Sequence, residues 1–471
     1  MKRKEVPMRS QLTIHEQRSV AQYNSNNAWL FNGNNGLLNN NNKYNNNEGR
    51  ALDYYLRNFG RLKEFLDFAG EMYDAYKICR RTKRNSTAQL KFEYDNLRRI
   101  AVSMSVWAME YVPAKSIAFI IEIPKRREVI AADFGDRVVQ TWYNEKIKPE
   151  IEADWLDPDS YSCRKGRGGL NAVLNFQKKM EEATNGYVYD AWIIKRDVRA
   201  FFMSIDTAVL ERYMTEFIEQ HFGENYELRN RLLWLTRIIY RSLSQNNCVR
   251  KSHRLAWSRL DPRKSMFGKL IGLPIGNVAM QTGANFTSSI YLAKLRELGY
   301  DFCHYTDDTA IIVRNMDRWK RDEKQMEEFI SNKLHLEWHP NKKYIQHISK
   351  GVEFLGFKIR YDRRLPSNRI AHNFIWKIQC AAKKAKEGQF MFDQAEEFMC
   401  IFNSYTGLLK WCNSNRLRNQ AVEIIKQSKL ADIYNITGNS KITIKKHRTR
   451  ASYFAFLNRR RKREMFNLKT A

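Results

Sequence analysis

The chain has 471 residues, 43% of them hydrophobic, and its 81 lysines and arginines against 51 aspartates and glutamates leave a formal charge of +30. That length exceeds one ordinary core, so two to four closely joined units are expected, and the cationic surplus points to a polyanionic partner, nucleic acid ahead of membrane. No apolar stretch approaches the roughly 20 residues that span a bilayer, and the N-terminal MKRKEVPMRSQ lacks the apolar block of a signal peptide, so a cytoplasmic protein is expected.

Residues 24–47 are asparagine-rich, which favours loop or tail because asparagine competes with the backbone for hydrogen bonds. The embedded Trp29, Leu30 and Phe31 could instead anchor the segment. From 51 to 110, Leu56, Phe59, Leu62, Phe65 and Leu66 recur at helical spacing. SIAFIIEIPKRREVIAA then predicts a β-hairpin with cations at its tip, and YSCRKGRGG (161–169) a basic loop before a helix from about 170 to 183.

AWIIKRDV (191–198) is a short apolar run ending in charge, which places Asp197 near the end of a buried strand. Asp206 can cap the helix that follows. Residues 241–270 predict a basic, irregular connection, and GLPIGNVAMQTGANF (272–286) a Gly-Pro turn entering a helix. FCHY and TAIIV predict two strands with Asp307 and Asp308 at the turn between them. A helix from about 318 to 333, a strand pair in KGVEFLGFKI (350–359) and a helical, cationic region after 370 complete the chain. Seven cysteines (Cys79, Cys163, Cys248, Cys303, Cys380, Cys400 and Cys412) have no paired CxxC spacing, so they predict reduced, mostly buried thiols rather than a zinc site or a disulfide frame.

Two adjacent acids in a turn are most often solvated. Here a strand-end acid at 197, a glycine-rich turn before a helix and an acid-tipped hairpin follow one another in an order that can bring three carboxylates to one sheet edge. Such acids repel unless divalent cations lie between them. Mg²⁺ prefers oxygen ligands and retains positions for phosphate oxygens, and a pair of ions about 4 Å apart can activate a primer 3′-hydroxyl and neutralise departing pyrophosphate.

YTDD resembles the Y-x-D-D element of reverse transcriptases, and it has company. DVRAFF (197–202) resembles their first palm motif, and GLPIGN with Gln281 resembles the second. LHLEWHPNKK (334–343) and EFLGF (353–357) resemble the lysine motif and primer grip, while PKRREVIAADFGDRVVQ and SYSCRKGRGG resemble the finger motifs. The resemblance runs over roughly 115–360 in the family's order. It implies an α+β right-hand polymerase: an N-terminal extension at 1–50, fingers at 51–185, a ferredoxin-like palm at 186–360 and a helical thumb with a basic tail at 361–471.

By the same resemblance, Asp197, Asp307 and Asp308 are the catalytic acids: Asp197 and Asp307 hold two Mg²⁺ ions, with Mn²⁺ as a substitute, and Asp308 is the less directly liganded third acid. Lys125, Arg126 and Arg127 grip the triphosphate, Phe202 excludes a 2′-hydroxyl, and Gly276 and Gln281 shape the pocket. Lys342 serves the pyrophosphate, and Phe354, Leu355 and Gly356 form the primer grip. The implied partners are dNTPs, a DNA product and an RNA template, expected to be a dedicated non-coding RNA, with an accessory protein or homo-oligomer also open.

GLPIGN, KGVEFLGF and NSYTGLLKWCNSNRLR (403–418) look most like bacterial enzymes of diversity-generating retroelements and of antiphage defence. Diversity-generating enzymes usually carry Ser-Gln where this chain has Met280 and Gln281, which favours defence. Template-independent or protein-primed synthesis on the same palm stays open, as does a catalytically silent RNA-binding subunit.

Overall fold

A computed structural model describes residues 47–81, 86–123, 125–390 and 392–445. Most of the asparagine-rich stretch, the hairpin-tip Pro124 and the basic run from 446 onward lie outside the described residues. The chain divides into two compact units, Met1–Glu64 and Phe65–Ala471. In the second unit the strands are β1 (Ser116–Ile121), β2 (Arg127–Ala131), β3 (Trp192–Val198), β4 (Cys248–Arg250), β5 (Asp301–Tyr305), β6 (Asp308–Val313) and β7 (Trp338–His347). They are followed by β8 (Val352–Phe354), β9 (Phe357–Ile359), β10 (Arg364–Pro366), β11 (Tyr434–Thr437) and β12 (Lys441–Ile444).

β5, β6, β3 and β7 form one antiparallel sheet in that order. With helices Val278–Glu297 between β3 and β5 and Met316–Leu334 between β6 and β7, this is the split β-α-β arrangement expected of a ferredoxin-like palm. Alternation along β3 explains why its sequence reads as a continuous apolar run. Ile194 and Val198 face a core shared with Trp142, Phe286 and Trp319, whereas Ile193 faces one shared with Phe176, Ala310 and Ile312. Both faces are therefore covered where the strand begins, and charge enters only near its end, at Lys195, Arg196 and Asp197.

The helices begin and end where local chemistry requires. Asp206 accepts hydrogen bonds from the Ala208 and Val209 amides and starts helix Thr207–His221. Asn315 caps Met316–Leu334 in the same manner, and that helix stops at His335, whose φ is +55°. Helix Val278–Glu297 is buried around most of its circumference. Gly283 allows this, since a Cβ there would lie 2.7 Å from the Tyr240 ring.

The connection at 241–270 is more ordered than expected. Its β4 joins β1 in parallel, making a three-stranded sheet β2-β1-β4 with the antiparallel hairpin. The buried Glu128 carboxylate of β2 accepts from Ser265 Oγ (3.0 Å) and from the Met266 amide, satisfying a charge that could not otherwise be buried. Short strands of this kind escape sequence reading because CVR has no period of its own.

Helices Asn368–Lys386, Phe392–Leu409 and Asn415–Lys426 share a separate core around Phe374, Phe402 and Ile425. The expectation of helix alone after 370 is corrected by the β11–β12 hairpin. It packs there because Ile442 and Tyr434 join that core and the Tyr434 hydroxyl donates to the Ala395 carbonyl (2.7 Å). The cysteine expectation is also corrected: all seven are free, but only Cys303 is buried, and Cys163 and Cys400 are exposed. Among the described residues no helix is long and apolar enough to cross a membrane.

Candidate active site

The β5–β6 hairpin closes with Tyr305 opposite Asp308, leaving Thr306 and Asp307 as a two-residue turn. Such turns match strand twist when a central residue has positive φ, and Thr306 takes φ +62°. A β-branched residue rarely adopts that conformation, so strain is concentrated at this turn. Across the next ladder Asp197 stands opposite Asp308. Directly opposed residues present side chains to the same face. Asp197, Asp308 and the i−2 residue Lys195 therefore share the face that begins as the apolar Ile193, Ala310 and Ile312.

Burial raises the Asp307 carboxyl above its ordinary value, and the nearby negative charge of Asp197 raises it further, while Arg127 acts in the opposite sense. These acids are thus crowded and short of compensation. Two lysines reply. Lys342 of β7 donates to Asp197 Oδ2, and Lys195 Nζ lies 3.0 Å from Asp308. On the opposite face of β3, Arg196 is buried against Glu323 (3.0 Å) and Glu327 (2.5 Å), and Lys343 also pairs with Glu323. The Arg196 Nε to Glu323 Oε1 contact is an ion pair without hydrogen-bond alignment.

The three hairpin-tip cations differ. Lys125 and Arg127 are exposed. Arg126 is committed elsewhere: its guanidinium bonds Glu122 (2.6 and 2.9 Å) and the Arg259 carbonyl (2.9 Å), so it ties the tip to the following connection. Phe201 is buried, whereas Phe202 is only partly so and meets Phe201 edge-on at 5.6 Å. Of the two rings, Phe202 is the one with an open side.

Gly276 has φ +138°, and a Cβ there would sit 2.7 Å from the Ile130 carbonyl oxygen. The close approach that demands glycine is therefore to β2. The Ile130 amide donates to the Ile275 carbonyl (2.9 Å) and the Ala132 amide to Asn277 Oδ1 (3.0 Å), which fastens the GLPIGN turn to β2. Gln281 is exposed, and its Oε1 lies 3.4 Å from Cys163 Sγ of the basic loop. In β8–β9, Phe354 opposes Phe357, and Leu355 and Gly356 (φ +48° and +88°) form the tight turn between them. A Cβ at Gly356 would meet Ile370 Cδ1 at 2.5 Å, so this turn is seated against helix Asn368–Lys386.

Lys195 escapes a motif search because lysine two residues before a strand-end aspartate is unremarkable. The available signal was the two-residue period of a strand, which places it beside Asp197. Arg164 of the basic loop is absorbed by three backbone carbonyls, those of Glu152, Asp157 and Ser160. Its density of charge overstated what the loop offers to a partner.

Among the described residues no three His, Cys, Asp or Glu side chains converge as a ready-made metal cage. The oxygen-only pair Asp197 and Asp307 nonetheless fits Mg²⁺, an ion that is commonly held by one or two carboxylates with water and phosphate filling its octahedron. Burial and the neighbouring Asp197 charge, which together raise Asp307, are what such an ion would offset.

A family model described as reverse transcriptase (RNA-dependent DNA polymerase) matches residues 123–359. No curated protein matches the chain. Among solved structures the chain is similar to telomerase from Candida albicans in complex with a TWJ fragment of telomeric RNA, with 10% identity and TM-score 0.39 over 67% of this chain and 62% of that one. Telomerase from Candida tropicalis is similar both with a TWJ fragment (10%, TM-score 0.40, covering 70% and 56%) and in its apo form (12%, TM-score 0.40, covering 70% and 60%). The chain spans about three-fifths of the length of these telomerases. With its hairpin tip, its acid-bearing sheet and its β8–β9 turn all inside a family match that takes in half of its residues, the chain belongs to the reverse transcriptase (RNA-dependent DNA polymerase) family.

Proposed function

We propose that this chain is a Mg²⁺-dependent DNA polymerase that adds dNTPs to a primer on an RNA template. The observation that carries the reading is the β3–β6 register, which sets Asp197 beside Asp307 and Asp308 at the charged end of a strand pair that begins apolar on both faces. Mg²⁺ bound there would lower the pKa of a primer hydroxyl and offset charge on the departing pyrophosphate.

The protein's own groups do the rest. Asp197 and Asp307 supply carboxylate oxygens. Arg127 and Lys125, exposed at the tip of the β1–β2 hairpin, grip the triphosphate, and Arg126 braces that tip. Phe202 packs beneath the sugar, Gly276 and Gln281 border the nascent pair, and Lys342 leaves Asp197 for the pyrophosphate. Phe354, Leu355 and Gly356 hold the primer end. With these roles go fingers at 51–185, a palm at 186–360 and a thumb with a basic tail at 361–471.

The finer reading is a cytoplasmic bacterial enzyme of antiphage defence working on a dedicated non-coding RNA. It rests on the resemblance of the GLPIGN, KGVEFLGF and NSYTGLLKWCNSNRLR segments and on Met280, a buried apolar side chain where diversity-generating enzymes usually carry serine.

The test is primer extension by nuclease-treated protein on defined RNA, with sequencing of the copurifying nucleic acid and its DNA products. Template-directed DNA that disappears in Asp197→Ala and Asp307→Ala is expected. DNA made without any template would replace this reading with template-independent synthesis, and adenine-specific errors would replace defence with diversity generation.

A further inference from the structure

Asp308, the third acid of the site, is held by a lysine that also reaches β8. Lys195 Nζ is 3.0 Å from Asp308, 3.3 Å from the Glu353 carbonyl oxygen of β8 and 5.6 Å from the centre of the Phe354 ring. Its side chain is 23% exposed, so the ammonium has little room to leave. In the register, Lys195 faces Ala310 and Asp197 faces Asp308, which makes Lys195 and Asp308 diagonal neighbours on one face. One ammonium therefore joins the acid turn to the strand that carries the proposed primer grip.

We propose that Lys195 is the positioning residue that keeps Asp308, the acid the family resemblance already makes the less directly liganded one, away from the metals and couples the acid turn to the β8–β9 hairpin. The proposal rests on the polymerase reading above and deepens it. Asp308 then shapes the field at the metal pair while Asp197 and Asp307 bind it. With the lysine gone, the Asp308 charge acts in full on Asp307, which it already opposes. A cation between the acids is then held more tightly, and the primer grip loses its tether.

The full chain is titrated with Ca²⁺, a cation that reports binding without turnover, by calorimetry. Wild type is compared with Lys195→Met, Lys195→Arg, Asp308→Asn and the Lys195→Met/Asp308→Asn double variant, with melting temperatures recorded alongside. Lys195→Met is expected to bind Ca²⁺ about three- to tenfold more tightly while its KM for primer–template rises. Asp308→Asn should weaken Ca²⁺ binding, and the double variant, which restores the net charge, should return to about the wild-type affinity. Lys195→Arg keeps the charge and with it the Ca²⁺ affinity, which preserves the test if the methionine variant fails to fold. A double variant that binds Ca²⁺ more than about tenfold below wild type would make Asp308 a ligand and overturn the proposal. So would a Lys195→Met variant with unchanged Ca²⁺ affinity and primer KM. If wild type itself bound no Ca²⁺, the metal reading would fall first and take this one with it.

Discussion

Lys342 of β7 donates to Asp197 Oδ2, although 145 positions separate the two residues in the chain. The pair is half-exposed at the lysine, and such surface pairs contribute only about 0–1 kcal/mol to stability. The proposed function gives it a role at the pyrophosphate instead. Lys342→Ala is expected to leave the melting temperature near wild type and to lower the single-turnover rate about 100-fold, the size of a lost proton donor. An unchanged rate would assign Lys342 to the surface.

Asp307 gives the protein a pH signature. Its folded-state carboxyl is raised, chiefly by burial and next by Asp197. The native state then holds a proton that the unfolded chain has released, so the Asp307 contribution to stability is complete below the ordinary aspartate value. It is lost as pH rises through the raised one. Without divalent cation, wild type should lose more stability than Asp307→Asn does as pH rises above the ordinary aspartate value of about 4. Parallel melting curves for the two proteins above that value would refute this.

Phe202 has the open face and Phe201 the buried one. Phe202→Ala is expected to admit ribonucleotides with the fold intact, read as the ratio of kcat/KM for dNTP and rNTP. Phe201→Ala should destabilise by about 3–5 kcal/mol, as other deletions of large buried rings do. Sugar discrimination that survives Phe202→Ala would remove the ring from the pocket.

Gly276 joins the GLPIGN turn to β2. Alanine there meets both a positive φ and a backbone carbonyl 2.7 Å away, and neither can yield as a flexible side chain would. Gly276→Ala should cost about 1–3 kcal/mol, seen as a lower urea midpoint at constant slope. A variant as stable as wild type would mean that the turn is free to move off β2.

Arg196 and Glu323 are both buried and paired at 3.0 Å on the face of β3 away from the acids. Removing one partner leaves a buried charge uncompensated, so Glu323→Ala should lose about 3–5 kcal/mol. A change under about 1 kcal/mol would show that Glu327 and Lys343 redistribute to cover the loss.

Much of the fold was legible locally. The hairpin at 116–131, the Asp206 cap and the helices flanking them appear where periodicity and turn chemistry place them, while the acid turn falls one residue earlier than expected, at 306–307, because Asp308 pairs with Tyr305 and opens β6. What escaped was structure held from outside the segment. β4 exists because β1 offers it an edge, and the β11–β12 hairpin because a helical core receives Ile442 and Tyr434. The cationic tip illustrates the same limit: three adjacent basic residues look equivalent in a string, yet Arg126 is bonded to Glu122 and to the Arg259 backbone, while Lys125 and Arg127 remain exposed.

The order of motifs along the chain was enough to carry the family resemblance, because strand ends, turns and the types of side chain they carry are local properties. Which acids stand together, and which lysine answers each, was decided by strand register and by contacts across more than a hundred positions. Coulomb energy depends on distance in space, and separation along the chain does not determine it.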